Sequence, residues 1–418
     1  MPTIYDVIHG DIRINDEDLK FIDNIWMKRL KRVKQLGVLD HVFPCASHSR
    51  FEHSLGVYHL AGIYIDLLEK HNSSDCMLFT PMEVRCVKLA ALFHDLGHGP
   101  FSHLFDTSII NSLNVPEIYK HHEGRSQMIV DKIFEGCAPH EFSEVDITLI
   151  KTIINPPPEM VIIDNGIKKY VGVEKPYLYQ IVNNKITGLD VDKLDYIQRD
   201  TYHIGLDCTF SPSRIFNKSK ICPTLKHIIY RDSLEYNIFN LYHIRYRLHR
   251  NIYNHPAVKL IELMLADALK LSDVDFADMD TFVSLDDSIY NKILFDVKGG
   301  HSKDILTRIE NRDLYTMLFI KSHNYNAILR SEGTSYNESL HKDIEITLGK
   351  TGAKRVYQAL ETRQAFMIDL KFDLCNNYES PLKNFIFYNS STSNIQKNLV
   401  RRLETQVYSE NIVMIYEH

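Results

Sequence analysis

Phe93-His94-Asp95-Leu96-Gly97-His98-Gly99-Pro100-Phe101-Ser102-His103 decides how the rest of this chain is read. A histidine and an aspartate adjoin at the end of an apolar run, and two more histidines follow within nine residues. Neutral imidazole and carboxylate are ligands that borderline and hard divalent metals take. Adjacent side chains meet one ion only where the backbone turns, and Gly97, Gly99 and Pro100 supply turn chemistry. The run before them reads as a helix. Thr80 suits its N-cap, Pro81 its first position, and Glu83 completes a capping box. Val84, Val87, Leu89, Ala90, Ala91, Leu92 and Phe93 make that helix apolar enough to be buried. The site then hangs from the end of a core helix, which is a rigid mount. A lone His-Asp pair is also what a hydrogen-bonded core histidine looks like. His53 upstream and Asp192 downstream extend the pair to the order His…His-Asp…Asp.

The chain has 418 residues, enough for one large core and a smaller lobe. At 44% hydrophobic and 24% charged it has ordinary globular composition, and a formal net charge of −6 argues against a protein that coats nucleic acid along its surface. A local basic site stays open. No stretch approaches the ~20 apolar residues of a membrane span, and the N-terminus lacks the regions of a signal peptide. Seven scattered cysteines without a CxxC pair suit free thiols in a reducing, intracellular compartment, cytoplasmic or nuclear. They exclude a zinc finger.

Working outward, a helix is expected from about Asp16. Its basic second half, Met27 to Lys34, reads as a solvated face, a nuclear-import signal or a phosphate-binding patch at a subunit contact. Gln35-Leu36-Gly37 closes it. Residues 48–70 read as a helix with Arg50 and His53 on one face. Residues 101–154 read as helical and hold Asp106 and His121-His122, before the break at Asn155-Pro156-Pro157-Pro158. Val161 to Val171 reads as a hairpin about Asn165-Gly166, and His227 to Tyr236 as a second hairpin about Asp232-Ser233. Residues 177–200 read as a helix presenting Asp192, Tyr196 and Asp200 in a row. Residues 237–271 are long helical matter with Arg245, His249, Tyr253 and His255. Beyond about residue 315, Phe385–Tyr388 and Ile412–Tyr416 are strand-like. The expected fold is mainly α: a helical catalytic core over 1–315 with short β-hairpins, and a small α+β lobe over 316–418.

His53, then His94-Asp95, then Asp192 resemble the ligand signature of the HD metal-dependent phosphohydrolases. The likeness is closer than that superfamily. Ala46-Ser47-His48-Ser49-Arg50-Phe51-Glu52-His53-Ser54-Leu55-Gly56-Val57, His94 to His103, and Asp190-Val191-Asp192-Lys193 resemble the deoxynucleoside triphosphate triphosphohydrolases of the SAM-and-HD-domain type. The resemblance runs from about Ile4 to near the C-terminus, without a SAM domain. It implies hydrolysis of a dNTP to deoxynucleoside and inorganic triphosphate, lowering dNTP pools. It implies a transition metal (iron, zinc or manganese) on His53, His94, Asp95 and Asp192, with magnesium on the triphosphate. His98, His103, Asp106 and His122 match the family's catalytic cluster, with His103 favoured as the acid that protonates the leaving 5′ oxygen and His98 as an α-phosphate contact. Arg50, Lys193 and Arg245 match phosphate contacts. Tyr196 and Asp200 match those that hold the 3′ hydroxyl, Gln35 and Leu36 those packed against the sugar, and Tyr253, beside His249, a base-stacking ring.

Family members of this type are oligomers assembled by nucleotides bound between subunits. Asp23 matches the acid that reads guanine, and Arg214, Arg231 and Arg312 match basic residues of the adjoining site. Lys28 stands where the family has glutamine, Lys31 where it has arginine, and Pro2 where it has lysine. An ammonium has no acceptor with which to read a base edge as an amide does. The resemblance therefore implies a homo-oligomer, dimer or tetramer, that needs no GTP or accepts any triphosphate as activator. Two other readings compete: an HD-type nucleotide phosphodiesterase or nuclease, and a catalytically idle nucleotide- or RNA-binding protein. Retention of Tyr196, Asp200 and Gln35-Leu36 speaks against the first, and the complete ligand set against the second.

Overall fold

The structure is a computed structural model, and it describes residues 2–72, 77–138, 140–164, 167–324, 336–362, 365–372, 380–382, 384–388, 395–397 and 410–417. An N-terminal antiparallel hairpin, β1 (Thr3–Asp6) and β2 (Gly10–Arg13), leads into short helices α1 (Leu19–Ile22) and α2 (Ile25–Arg29). The single long helix expected from Asp16 is thus broken. The Asn24 side chain accepts from the Met27 N–H and starts a new helix there.

Three helices then form the frame of the site. α3 (Arg50–Lys70) packs against α4 (Pro81–Phe93) and α7 (Val191–Ile204). The Thr80–Glu83 capping box is formed in both directions, with Pro81 in the first turn. The buried face of α4 meets Phe21, Phe134 and Phe142 in an aromatic cluster with ring centroids 4.9–6.3 Å apart. α5 (His122–Cys137) and α6 (Glu144–Ile154) complete this layer. The continuous helix expected over 101–154 is instead a turn, a wide π-type turn at Phe105–Ile109, two short 3₁₀ turns, α5 and α6. Likewise the expected 177–200 helix is α-helical only from Val191, where the Asp190 side chain accepts from the Lys193 N–H and starts it, and it runs on to Ile204.

β3 (Val161–Asp164) and β4 (Ile167–Tyr170) pair antiparallel as expected, with their turn outside the described residues. The second expected hairpin does not form at Asp232-Ser233. β6 (Ile228–Arg231) pairs with upstream β5 (Ser219–Ile221), with Lys226 taking a left-handed backbone (φ 51°) in the connection. Asp232 instead opens a 3₁₀ turn, α8 (Pro212–Phe216) having come before, and the chain runs on into α9 (Glu235–Leu248). A π-type turn at His249–Tyr253 separates α9 from α10 (Pro256–Lys270), followed by α11 (Met279–Phe282), α12 (Ile289–Leu294) and α13 (His301–Glu310).

Beyond Tyr315, described segments form a three-stranded antiparallel sheet in the order β7 (Thr316–Asn324), β11 (Glu410–Glu417), β8 (Ala365–Phe372), with the kinked helix α14 (Tyr336–Glu361). Alternation along β11 has two results. Val413 and Ile415 pack with Ile344 and Val356 of α14, while Ile412, Met414 and Tyr416 pack towards Tyr246, Leu260 and Leu263 of the helical core. β9 (Ile386–Tyr388) pairs parallel with β6 and antiparallel with β10 (Ile395–Lys397), and Leu382, Phe385 and Phe387 enter the main core. The fold is mainly α, and among the described residues no helix is long and apolar enough to cross a membrane.

Candidate active site

The C-terminal end of α4 delivers His94 and Asp95 beside His53 of α3 and Asp192 of α7. His53 Nε2 lies 3.2 Å from His94 Nε2, 3.1 Å from Asp192 Oδ1 and 3.6 Å from Asp95 Oδ2. His94 Nε2 lies 3.4 Å from Asp95 Oδ1 and 3.5 Å from Asp192 Oδ1. Ligand atoms about 2.1 Å from a shared ion stand at such mutual separations. The other nitrogens are already engaged. His53 Nδ1 is 2.7 Å from Asp195 Oδ2, and His94 Nδ1 is 2.8 Å from the Ala91 carbonyl. Both Nε2 atoms are left facing the shared centre.

The electrostatics agree with the geometry. Burial opposes charge on His53, but hydrogen bonds to Asp192 and Asp195 outweigh it and push its pKa up to about 10. Burial also favours neutral Asp95, yet Arg50, His94 and His98 hold that carboxyl well below the usual range. Arg50 pairs with Asp95 and Arg199 with Asp195, so Asp192 is the carboxylate whose charge a proton on His53 or a divalent cation can balance.

The turn after Asp95 departs from its expected chemistry. Its left-handed backbone falls on Phe101 (φ 59°) and Ser102 (φ 58°), not on Gly97 or Gly99. Those glycines serve close approach: a Cβ at Gly97 would sit 2.0 Å from the His122 carbonyl oxygen, and one at Gly99 2.4 Å from the Phe105 ring. The strained pair is clamped. Asp287 Oδ1 accepts from the Phe101 N–H at 2.7 Å and its Oδ2 from the Lys34 N–H at 2.9 Å. Ser102 Oγ donates to the Lys34 carbonyl at 2.5 Å and accepts from Arg50 Nε at 2.7 Å. Buried Arg29 holds the carbonyls of Leu96 and His98 from beneath, at 2.6 and 2.9 Å.

This turn gathers the second cluster. His98 stacks on His122 with centroids 3.9 Å apart and meets His103 edge-on at 5.0 Å. His122 Nδ1 lies 3.0 Å from Asp106 Oδ2, and Asp106 also pairs with buried Arg125. Burial pushes His98 well below the usual histidine range, helped by Arg50 and His122. The His103 side chain opens into the cavity; crowding by protein, then Arg50 and His122, lower it to about 4. His98 Nδ1 is buried without a hydrogen-bond partner.

Both clusters line one cavity of about 580 Å³. Arg50, Lys193, Arg245, Lys185 and Lys259 line it too, together with the carboxylates of Asp95, Glu123, Asp192, Asp200 and Glu262, so the cavity offers both cations for an anion and acids for a metal ion or hydroxyl. At its side Tyr253 donates its hydroxyl to Asp200 Oδ2, while Asp200 Oδ1 lies 2.8 Å from His48 Nε2. Arg245 Nε donates to the Tyr196 hydroxyl at 3.2 Å, and His249 meets Tyr253 edge-on at 4.9 Å. Gln35 and Leu36 line the same space, and Gln35 Oε1 is buried without a partner. All seventeen residues expected at the metal, catalytic and substrate positions line this cavity except Asp106, which reaches it through His122.

The residues expected to bind an activator are not gathered there. Lys28 pairs with Asp23 at 3.1 Å, and Lys31 sits over the Phe51 ring. Arg214 and Arg231 both lower the pKa of Lys218, after desolvation, and Arg312 donates to the His41 carbonyl. Sequence reasoning missed Asp195, Arg199, His48 and Asp287. The first two carried a signal, since Asp192, Asp195 and Arg199 are spaced i, i+3 and i+7 along one helix. Asp287 carried none, being brought 186 residues along the chain to Phe101.

A His, His-Asp, Asp constellation brought together by three helices at one cavity marks an HD-domain hydrolase. A family profile described as HD domain matches residues 50–162, and an HD domain implies a divalent metal. The chain is 33% identical to the deoxynucleoside triphosphate triphosphohydrolase SAMHD1 of cattle, over all of this chain and 75% of that protein. It is 32% identical to the human protein of that name, over all of this chain and 70% of the relative. A putative HD domain-containing protein, L394, of Acanthamoeba polyphaga mimivirus is 36% identical over 68% of this chain and 63% of its own length. The chain belongs to the SAMHD1 family of deoxynucleoside triphosphate triphosphohydrolases.

Proposed function

We propose that this protein hydrolyses deoxynucleoside triphosphates to deoxynucleoside and inorganic triphosphate. The observation that carries the reading is the single cavity. It joins the corner of His53, His94, Asp95 and Asp192, the histidine cluster, the side chains of Arg50, Lys193 and Arg245, and the Tyr253–Asp200–His48 chain. His53, His94, Asp95 and Asp192 would hold a transition ion, with iron, zinc and manganese all compatible with two imidazoles and two carboxylates. Bound there, such an ion supplies Lewis-acid polarisation of a phosphoryl oxygen and a water of lowered pKa.

The chain's own residues do the rest. Arg50, Lys193 and Arg245 would receive the phosphates, with Mg²⁺ sharing the charge. Water adds to the α-phosphorus, the bond to the 5′ oxygen breaks, and that oxygen takes a proton. His103 is our choice of donor. In the free protein its surroundings favour the neutral ring, but a bound polyanion raises the pKa of an adjoining imidazole. His98 would meet the α-phosphate with its unpartnered edge, while Asp106 and Arg125 keep His122 in place behind it. Tyr196, Asp200, Gln35 and Leu36 would take the deoxyribose, and Tyr253 with His249 would border the base.

Mass spectrometry of the products from dGTP tests the reading. Triphosphate and deoxyguanosine support it; monophosphate would assign a phosphodiesterase or nuclease, and no product an idle binding protein. We further propose a homo-oligomer whose activation needs no GTP or accepts any triphosphate, supported by Pro2, Lys28 and Lys31 at guanine-reading positions. Light scattering and dTTP hydrolysis, each with and without GTP, test this; strict dependence on GTP would overturn it. We also keep a division near residue 315, since Phe319, Ile344, Val413 and Ile415 form a core of their own.

A further inference from the structure

The support behind His53 comes from the N-terminal hairpin, which no role above uses. Asp6 ends β1, and its Oδ1 accepts from the N–H groups of Ile8 and His9 at 2.9 and 3.0 Å, which fixes the turn. His9 Nε2 lies 2.6 Å from Asp195 Oδ1, and the other oxygen of Asp195 lies 2.7 Å from His53 Nδ1. Arg199 ties the group together. It donates to both Asp195 oxygens at 3.1 and 2.8 Å and to both Asp6 oxygens at 3.2 and 2.8 Å. Asp195 and Arg199 are 0% exposed. Helix α3 is shaped for this contact: a Cβ at Gly56, one turn after His53, would lie 1.9 Å from Asp195 Oδ1.

A buried carboxylate with Arg199 beside it stays ionised, so it accepts the His53 Nδ1 proton and sends the Nε2 lone pair to the metal corner. A carboxylate has two oxygens and turns about its own bond. Arg199 contacts both oxygens but divides its guanidinium between Asp195 and Asp6, and its bond to Oδ1 is the longer of the two at 3.1 Å. His9 pins the oxygen that does not face His53. We propose that His9 is a positioning residue for the metal ligand His53, acting through Asp195, so that the N-terminal hairpin is part of the metal centre. The inference rests on the metal reading above and goes beyond it: displacing the hairpin would weaken metal binding without touching a ligand.

The test measures Zn²⁺ affinity of the full chain by competition with a chromophoric chelator. His9→Ala should weaken Zn²⁺ about 10- to 100-fold, the usual effect of losing such a partner. His9→Gln, which keeps an N–H donor at similar reach, should recover most of that loss. Asp11→Ala, an exposed hairpin change, should bind as the wild type does. Unchanged affinity in His9→Ala overturns the proposal. So does an equal loss in all three variants, which would mean that the hairpin only stabilises the fold. His94→Ala separates the two levels: if it keeps Zn²⁺, the metal reading itself fails, whereas loss there with none in His9→Ala removes this inference alone.

Discussion

The cavity has two corners built on opposite plans. At the metal corner each outward nitrogen is fixed by a carboxylate or carbonyl, and the inward nitrogens of His53 and His94 stand 3.1–3.6 Å from each other and from oxygens of Asp95 and Asp192. At the histidine corner the rings of His98, His103 and His122 face one another, and His98 Nδ1 has no partner. The first is complete before any ligand arrives. In the second, burial holds His98 and His103 below the usual histidine range, so it gains when an anion enters. A triphosphate whose α-phosphorus lies between the corners would satisfy both.

Removing the first corner should have the largest effect. The double variant His94→Ala, Asp95→Ala is expected to lose bound metal and all measurable dNTP hydrolysis while keeping a helical circular dichroism spectrum. Full metal content in that variant would dissolve the contrast, because the two corners would then be one histidine cluster. The second corner is probed by His103→Ala. It should retain metal and substrate affinity and lose ~10²–10⁴-fold in kcat, the usual range for acid–base catalysis. Near-normal turnover would move the proton to His98 or His122.

Next comes the sugar side, which belongs to neither corner. ATP should be hydrolysed at least about a hundredfold less efficiently than dATP, a typical limit for rejecting an added hydroxyl by shape. Comparable kcat/KM values would remove Gln35, Leu36 and Tyr196 from the substrate site.

The smallest effect concerns the clamp that joins the corners. Burial raises the Asp287 carboxyl to about 6, although it accepts two backbone N–H groups. Its folded pKa lies above its unfolded value, so its protonation favours the folded state. Stability from this group is present at low pH and is lost as pH rises towards 6. Relative to Asp287→Asn, the wild type should gain on the order of 1 kcal/mol between pH 7 and pH 5. Urea unfolding of both proteins at the two pH values measures it. Parallel profiles would show that the buried carboxyl titrates normally.

Sequence alone singled out the corner of His53, His94, Asp95 and Asp192, because its information is local and chemical. His94 and Asp95 adjoin, the capping box fixes where α4 begins and therefore where it ends, and His53 and Asp192 each lie on a helix whose period is readable. It also determined the mainly helical fold and the strands at Phe385–Tyr388 and Ile412–Tyr416, where apolar runs are unmistakable. Tertiary structure decided the rest. It broke the helix expected from Asp16 at Asn24 and paired β6 with β5, because a side-chain cap and a strand partner compete with propensity over a few residues. It put the left-handed turn on Phe101 and Ser102, where Asp287 and Arg50 offset the strain, and used Gly97 and Gly99 for close packing. It also brought His9 to Asp195 and Asp287 to Phe101, each across 186 residues. Such partners leave no mark in the sequence near a site, since any buried donor or acceptor in reach of the folded chain can satisfy it.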